Sequence, residues 1–374
     1  MSQQGFATAL GFAKRTIGNA ERGAHPPSLA VRRALDQALE QTSDAQRERF
    51  LAALATGHGT HPLVHLTTAM LEPVELLHQE ELLAHLRAQW HLLVKTDNLL
   101  GPRYALSGVL LQLQLLEELL ISAPASARTE FVAMAAQYAE SAAWLYEDSG
   151  DLAAAQTYNS RAMEWAHEAG DDLLLAWTLF RSSQQATYRA NAASVIGLSQ
   201  AAQRNAAVLT PPMRAAIAAQ EAHGYALDGD EAQAQRLLDE SHQWAATDTA
   251  GDAREGHGSF CTASYIELQR AACWLRLGNP QRAIELYETT LPTLPSVYRR
   301  DRGVALSWCA MAHLAAGQPE QAACIAREAL QIALGVGSQR TVHEVRAVGR
   351  QLTSYRYLAP VRQLLDELAT AAAL

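Results

Sequence analysis

The sequence has 374 residues, of which 18% are charged and 6% aromatic, and it carries a formal net charge of −9. Leu and Ala dominate while runs of β-branched residues are scarce, which predicts an all-α protein and argues against a β-sheet protein. The four cysteines form no C-x-x-C pair, a pattern typical of reduced, buried thiols in a cytoplasmic protein rather than of a disulfide framework. No apolar run reaches the roughly 18 residues that a membrane-spanning helix needs, so no membrane partner is expected.

The charge is unevenly distributed along the chain. Residues 1–33 contain five basic residues against Glu21 alone, a net charge of +4, which leaves −13 for the remainder. A basic head on an acidic body predicts an anionic partner for the head and a different kind of partner for the body.

The head is predicted to contain two short helices joined by a turn. Phe6, Ala7 and Leu10 share one face of the first helix, and Gly11 ends it. A second helix is predicted over Ala13–Glu21, and a third follows the Pro-Pro pair near residue 26. A helix, a short turn with glycine and a second helix form the helix-turn-helix pattern.

Two consecutive strings in the head, SQ-x-x-F-A-x-x-L-G and K-R-T-I-x-x-x-E-R-G, resemble the phage-repressor-type (XRE) family of DNA-binding domains. The resemblance implies that the second string is a recognition helix that enters the major groove of double-stranded DNA. Lysine and arginine side chains at the start of such a helix commonly bind guanine. The implied DNA contacts are Lys14, Arg15 and Asn19 to base edges, and Gln3, Thr16 and Arg22 to the DNA backbone.

The sequence departs from the XRE pattern at its start. The first helix of the family would precede Ser2, where this sequence has only Met1. Because that helix normally covers Phe6, Leu10 and Ile17, the helix-turn-helix domain is predicted to be partial. Its first twenty or so residues are expected to be looser than the body of the chain.

A Gly-rich polar stretch, ATGHGTHPLVH, is predicted to be a linker between the head and the body. Its three histidines, His58, His61 and His65, invite a metal site. They have no carboxylate or cysteine neighbours, so a solvated loop is preferred, and neither a metal nor a cofactor is expected.

Two long helices are predicted between Glu72 and Ile121, on either side of the segment TDNLLGPR. Asp97 and Arg103 flank the turn in this segment and are predicted to form a structural pair; the alternative is that they contact a ligand. Together with the later segment AWLYEDSGDLAAAQTY, it resembles the C-terminal region of actinobacterial XRE regulators.

A helical hairpin is predicted around Gly150 and Asp151. Gly150 can adopt a positive φ to end one helix and Asp151 can cap the next, while small residues such as Ala143, Ala155 and Ala162 allow the two helices to approach. The pattern recurs at intervals of 39 to 49 residues. It resembles the tetratricopeptide (TPR) repeat. The other turns are Ala190-Asn191, Gly229-Asp230, Gly278-Asn279 and Gly317-Gln318.

The first helix of each TPR hairpin normally lines the concave face of the solenoid. The candidate ligand contacts are therefore Arg181, Gln184, Gln185 and Tyr188, which combine donors, acceptors and an aromatic ring on one such helix. A polar insert over residues 247–258 is predicted to form a loop over the groove. The negative charge of the body favours a cationic or neutral ligand.

The fold class predicted from these patterns is all-α, with a partial helix-turn-helix domain over residues 1–55, a linker over 56–70 and a TPR-like α-solenoid over 71–374. No catalytic motif occurs, so no enzyme is expected. The favoured hypothesis is a homodimeric, cytoplasmic transcriptional regulator whose solenoid binds a peptide or small-molecule effector. The alternative is a TPR adaptor that binds other proteins and whose head does not bind DNA.

Overall fold

A computed structural model describes residues 79–247 and 256–371 of the chain. The chain divides into two compact units, residues 1–77 and 78–374, and the described residues belong to the second. The predicted DNA-binding domain over residues 1–55 and the linker over 56–70 lie outside the described residues, as do all six predicted DNA contacts.

The described part of the chain is all-α and consists of fourteen α-helices packed in series. Short connections pair consecutive helices into seven hairpins. The helices are α1 (Gln79–Leu100), α2 (Pro102–Ser122), α3 (Ala125–Asp148), α4 (Leu152–Ala169), α5 (Asp172–Tyr188), α6 (Ala192–Ala202), α7 (Pro211–Asp228), α8 (Glu231–Gln243), α9 (Ala263–Arg276), α10 (Pro280–Thr290), α11 (Arg299–Ala315), α12 (Pro319–Val336), α13 (Gln339–Leu352) and α14 (Ala359–Ala371).

The five predicted hairpin turns share one backbone device. Each places one residue in the left-handed region; four of these residues are glycines and the fifth is Ala190, with φ 50°. After the turn, the side chains of Asp151, Asn191 and Asp230 each accept a hydrogen bond from the backbone N–H three residues later, at 2.9 to 3.1 Å. The predicted cap at Asp151 is therefore confirmed, and it satisfies a donor at the start of α4 that would otherwise lack a partner.

The small residues of the repeat pattern all lie in the packed interior. Their burial lets the two backbones of each hairpin approach closely, and it confirms the spacing predicted from the sequence. The buried positions are Ala143, Ala155, Ala162, Ser183, Ala186, Val195, Ala202, Ala222, Ala234, Ser241, Ala271, Ala283, Ala310, Ala322 and Ala329.

Two apolar clusters run along the array of hairpins. One extends from α3 to α9 and the other from α9 to α14, so that α9 contributes to both. The last hairpin, α13 and α14, covers the end of the second cluster, with Leu364 and Leu368 buried. Among the described residues no strand forms; Ala246 and Thr262 make an isolated bridge at the ends of the predicted insert.

The array curves until its first hairpins meet its last. Helix α1 packs against α12, and α3 packs against α13. At the α1–α2 turn, a side chain on Gly101 would place its Cβ 1.9 Å from the carbonyl oxygen of Val336. The hydroxyl of Ser338, which caps α13, donates to Asp148 at the end of α3 at 2.7 Å. The concave groove expected from the sequence is thus narrowed to an interior that remains partly open to solvent.

Helix α2 differs from the sequence-based expectation about apolar runs. Its residues Pro102–Ile121 are long and apolar enough to cross a membrane when judged by length and composition alone, and a third of the apolar stretch is buried. Glu117 and Glu118 interrupt the run but leave its mean hydropathy high. Leu111 and Ile121 are 63% and 85% exposed, so part of this apolar surface faces outward.

The cysteines follow the prediction only in part. Cys261, Cys273 and Cys309 are buried free thiols, whereas Cys324 on α12 is exposed. The prediction of burial was wrong for Cys324. This residue lies on the outer face of α12, whereas Ala322 and Ala329 on the same helix face the interior.

Candidate ligand-binding site

Two adjoining cavities, of about 160 and 70 Å³, lie inside the curve of the solenoid. Their walls come mainly from the first helix of each hairpin, as expected for a repeat array that presents those helices inward, and residues 256–260 add part of the larger cavity. Four residues line both cavities: Gln184, Tyr265, Asp301 and Arg340. The two cavities are therefore neighbouring parts of one internal site, which we call the interior site.

Three arginines surround one aromatic ring in the wall of the larger cavity. The guanidinium carbons of Arg181, Arg300 and Arg340 lie 4.7, 5.4 and 4.9 Å from the ring centre of Trp144. Guanidinium groups at this range are attracted by the negative face of an indole ring. Trp144 thereby gathers side chains from α5, α11 and α13, which are far apart in sequence.

Arg300 is buried between two carboxylates that come from the opposite end of the array. It donates to both carboxylate oxygens of Asp97, at 2.9 and 2.6 Å, and to the Asp97 carbonyl at 3.0 Å. Its Nε lies 2.9 Å from the carboxylate of Asp148. The Trp144 indole N–H donates to Asp97 as well, at 3.3 Å. This bidentate geometry is the strong form of the arginine–carboxylate pair.

Arg181 forms a second buried ion pair. Its Nε donates to Glu140 at 2.7 Å, and the indole N–H of Trp177 donates to the same oxygen at 2.9 Å. Burial alone would raise the pKa of Glu140, but the charge of Arg181 and these hydrogen bonds hold the pKa below its ordinary value. Glu140 therefore stays ionised and keeps Arg181 in place.

Arg340 reaches into both cavities from α13. It donates to the hydroxyl of Tyr188 at 3.0 Å, and that hydroxyl donates to Glu147 at 3.2 Å. Its Nε lies 3.4 Å from Asp148. Burial raises the pKa of Glu147 above its ordinary value, even though Arg340 and Arg181 act in the opposite direction.

The smaller cavity contains a buried neutral histidine. His223 Nε2 lies 2.8 Å from the side-chain oxygen of Gln269, and its Nδ1 lies 3.2 Å from Arg276. Because the Gln269 oxygen can only accept, Nε2 carries the proton and Nδ1 accepts from Arg276. Burial, together with the charge of Arg276, lowers the pKa of His223 to about 3. His223 therefore contributes a hydrogen-bonding group and no charge near neutral pH.

The end of the predicted insert enters the larger cavity. His257 stacks on the Trp177 ring at 5.1 Å between centroids and meets Trp90 edge-on at 6.1 Å. Gly258, with φ 83°, lies so close to α7 that an added Cβ would be 2.7 Å from the carbonyl oxygen of Pro212. Burial lowers the pKa of His257, which favours its neutral form against these rings. Residues 248–255 of the predicted loop lie outside the described residues.

The four predicted ligand contacts lie in or beside the interior site. Arg181 lines the larger cavity, Gln184 lines both, and Tyr188 lines the smaller one. Gln185 lines neither cavity and instead hydrogen-bonds Glu147. Arg181 and Tyr188 also have protein partners, so each stabilises the site as well as facing it.

The predicted pair between Asp97 and Arg103 is wrong. Asp97 is buried on the inner face of α1 and binds Arg300, whereas Arg103 lies beyond the turn and donates to the hydroxyl of Tyr104 at 2.8 Å. Helix α1 continues through the predicted turn to Leu100, which places the two side chains on different sides of the hairpin.

Several residues of the interior site were not predicted from the sequence, above all Trp144, Arg300, Asp301 and Arg340. Trp144 belongs to a hairpin that the sequence identified, but two of its three arginine neighbours, Arg300 and Arg340, come from helices about 150 to 200 residues away. One local feature marked Asp301 as a candidate: it follows two arginines at the start of α11, the first helix of its hairpin. That feature does not tell which of the three side chains points inward.

The interior site has the chemistry of a binding site. It combines aromatic surface with fixed donors and acceptors, the usual composition of a small-molecule pocket. Among residues 79–247 and 256–371, no group of three or more His, Cys, Asp or Glu side chains could hold a metal ion. No model of a known protein family matches the sequence, and no curated protein matches it.

Proposed function

We propose that this chain is a DNA-binding transcriptional regulator whose helical solenoid binds a peptide or small-molecule signal. The observation that carries the sensing half is the interior site, a partly open cavity with stacking surface and fixed charges on the inner helices of a repeat array. Purely structural solenoids need apolar packing between hairpins, but they do not need an internal cavity lined by three arginines. The larger cavity, about 160 Å³, has room for several waters or a small organic molecule.

The DNA-binding half of the proposal is supported by the sequence of the head alone. The string from Ser2 to Gly23 resembles the XRE helix-turn-helix, and the head is basic where the body is acidic. The proposed contacts remain Lys14, Arg15 and Asn19 to bases and three further residues to the DNA backbone. We further propose that the protein is cytoplasmic and acts as a homodimer, as most helix-turn-helix proteins that bind two half-sites do. The exposed apolar surface of α2 is a candidate dimer contact.

The first experiment tests DNA binding by the full chain. Selection from a pool of random duplexes, followed by fluorescence anisotropy, is expected to give a preferred sequence. The double variant Lys14→Ala, Arg15→Ala should lower affinity for the preferred duplex by at least tenfold, since each guanine contact contributes about 1–3 kcal/mol. The double variant Arg356→Ala, Arg362→Ala is the matched control, because it removes the same charge near the C-terminus.

The second experiment tests whether a signal acts through the solenoid. Compounds and peptides that raise the melting temperature of the full chain are added to the anisotropy assay with the preferred duplex. A regulator requires that at least one of them change DNA affinity, because a ligand shifts a protein between states only by binding one state better. If no duplex is selected and a protein partner co-purifies instead, the adaptor function replaces the regulator.

A further inference from the structure

Asp301 is the one charged side chain of the interior site whose carboxylate has no side-chain hydrogen-bond or ion-pair partner among the described residues; its own backbone N–H donates to it. It lies in the first turn of α11 and faces both cavities. Arg300, next to it in sequence, points to Asp97 and Asp148 instead. Arg340 also lines both cavities but forms no ion pair with Asp301.

The arginines of the interior site are already matched by other carboxylates. Arg181 binds Glu140, and Arg300 binds Asp97 and Asp148. Arg340 lies beside Asp148 and reaches Glu147 through Tyr188. With Arg276, which donates to His223 in the smaller cavity, four guanidinium groups face four carboxylates before Asp301 is considered, so Asp301 adds one unmatched negative charge.

The environment of Asp301 makes an unmatched carboxylate costly. Burial raises the pKa of Asp301 above its ordinary value, although Arg340 and Arg300 lower it in part. Burial also raises the pKa of Tyr265, the neighbouring aromatic residue, and the charge of Asp301 adds to that effect. A positive group placed between these two side chains would be attracted both by the carboxylate and by the face of the ring.

We propose that the interior site binds a small organic cation, a protonated amine on an aromatic or apolar body, with its ammonium group at Asp301. The body of the ligand would lie against the aromatic wall of the larger cavity, formed by Trp90, Trp144, Trp177, Phe260, Tyr265 and Tyr298. Three ammonium donors match the Asp301 carboxylate together with either the Tyr265 hydroxyl or the remaining lone pair of the Gln184 oxygen, which already accepts from Arg181 at 3.1 Å. The inference rests on the proposal that the solenoid binds a signal, and it specifies the chemical class of that signal.

The test compares amines with carboxylates of the same shape on the full chain. Tryptamine is paired with indole-3-propionate, and phenethylamine with 3-phenylpropionate, each titrated to millimolar concentration while the melting temperature is followed. The expected result is a saturating rise with at least one amine and no rise with its carboxylate. Stabilisation by the carboxylates instead of the amines would overturn the inference, as would the absence of any shift with all four probes.

Two variants locate the effect. Asp301→Asn keeps the shape of the side chain and removes its charge, so it should weaken amine binding at least tenfold. Without probe, Asp301→Asn should melt at the same temperature as the wild type or higher, because a half-buried charge without a side-chain partner has been removed. Asp228→Asn, on an exposed residue at the end of α7, should leave amine binding unchanged. Equal amine binding by wild type and Asp301→Asn would place the amine elsewhere and refute the assignment.

The DNA assay separates this inference from the proposed function. An amine that binds through Asp301 without changing DNA affinity would support the inference and count against the sensor. A carboxylate probe that stabilises the chain and changes DNA affinity would support the sensor and refute the inference.

Discussion

Replacing Arg300 by methionine should destabilise the solenoid more than any single surface change. Arg300 is buried and links Asp97 on α1 to Asp148 on α3 from its position on α11. Methionine fills much of the same volume but leaves two carboxylates without their main partner. The variant therefore tests whether the buried ion pairs hold the first and later hairpins together.

The size of the effect follows from what each carboxylate retains. Asp97 keeps the indole N–H of Trp144, and Asp148 keeps the hydroxyl of Ser338 and the more distant Arg340. Removing one partner of a buried ion pair typically costs about 3–5 kcal/mol, because the remaining charge is left desolvated. At about 2–4 °C per kcal/mol for a large domain, the melting temperature should fall by roughly 6–20 °C.

The assay combines thermal melting with hydrogen exchange, because a repeat array does not always unfold in one step. Protection should fall first at the end of α1 and the start of α11. Arg236→Met is the matched control, since Arg236 pairs with Glu240 on the surface at 3.3 Å and such pairs contribute at most about 1 kcal/mol. Adding Asp97→Asn to Arg300→Met should recover part of the loss. Equal costs for the two arginine variants, or strict additivity with Asp97→Asn, would refute the reasoning.

Three further predictions concern single positions. His223 is neutral in the folded protein, with a pKa of about 3, whereas it can take up a proton below about pH 6.5 when unfolded. The free energy of unfolding should therefore fall by up to about 1.4 kcal/mol per pH unit as pH drops from about 6.5 toward 3. Urea titrations should show that His223→Gln removes this part of the pH dependence. Ala190→Gly should stabilise the protein by roughly 0.5–1 kcal/mol because alanine at φ 50° is strained; thermal melting should show the opposite sign for Ala193→Gly inside α6. Gly101→Ala should lower the melting temperature more than Gly170→Ala. Both glycines have a positive φ, but of the two only Gly101 has a neighbour, the Val336 carbonyl, where the new methyl group would lie.

The hairpins could be predicted from the sequence because their determinants are local. A left-handed residue, a cap and small residues seven apart fall within about twenty positions, and the structure places Ala155 and Ala162 in the interior as that spacing requires. The weakest predicted copy, around Ala190, also forms the same turn without a glycine. Asn191 compensates by capping the helix that follows.

The interior site could be predicted only in part, because its contacts join distant segments. The sequence placed Arg181 and Gln184 on an inward-facing helix, since that follows from the periodicity of one hairpin. It could not pair Asp97 with Arg300, which is 203 residues away, because the partner depends on how far the array curves. Small rotations between successive hairpins add up to that curvature, and no single hairpin encodes it.

The closure of the array gives the interior site its link to the rest of the molecule. Arg300 and Arg340 line the larger cavity, and both approach Asp148, which also accepts from Ser338 at the start of α13. A ligand that alters the position of either guanidinium group would therefore act directly on the contacts that join the first hairpins to the last. In an open solenoid the same ligand would affect only neighbouring repeats. Buried ion pairs add little stability over apolar packing. Here they both line the cavity and join the ends of the array, so a change of charge in the cavity would change the curvature of the array.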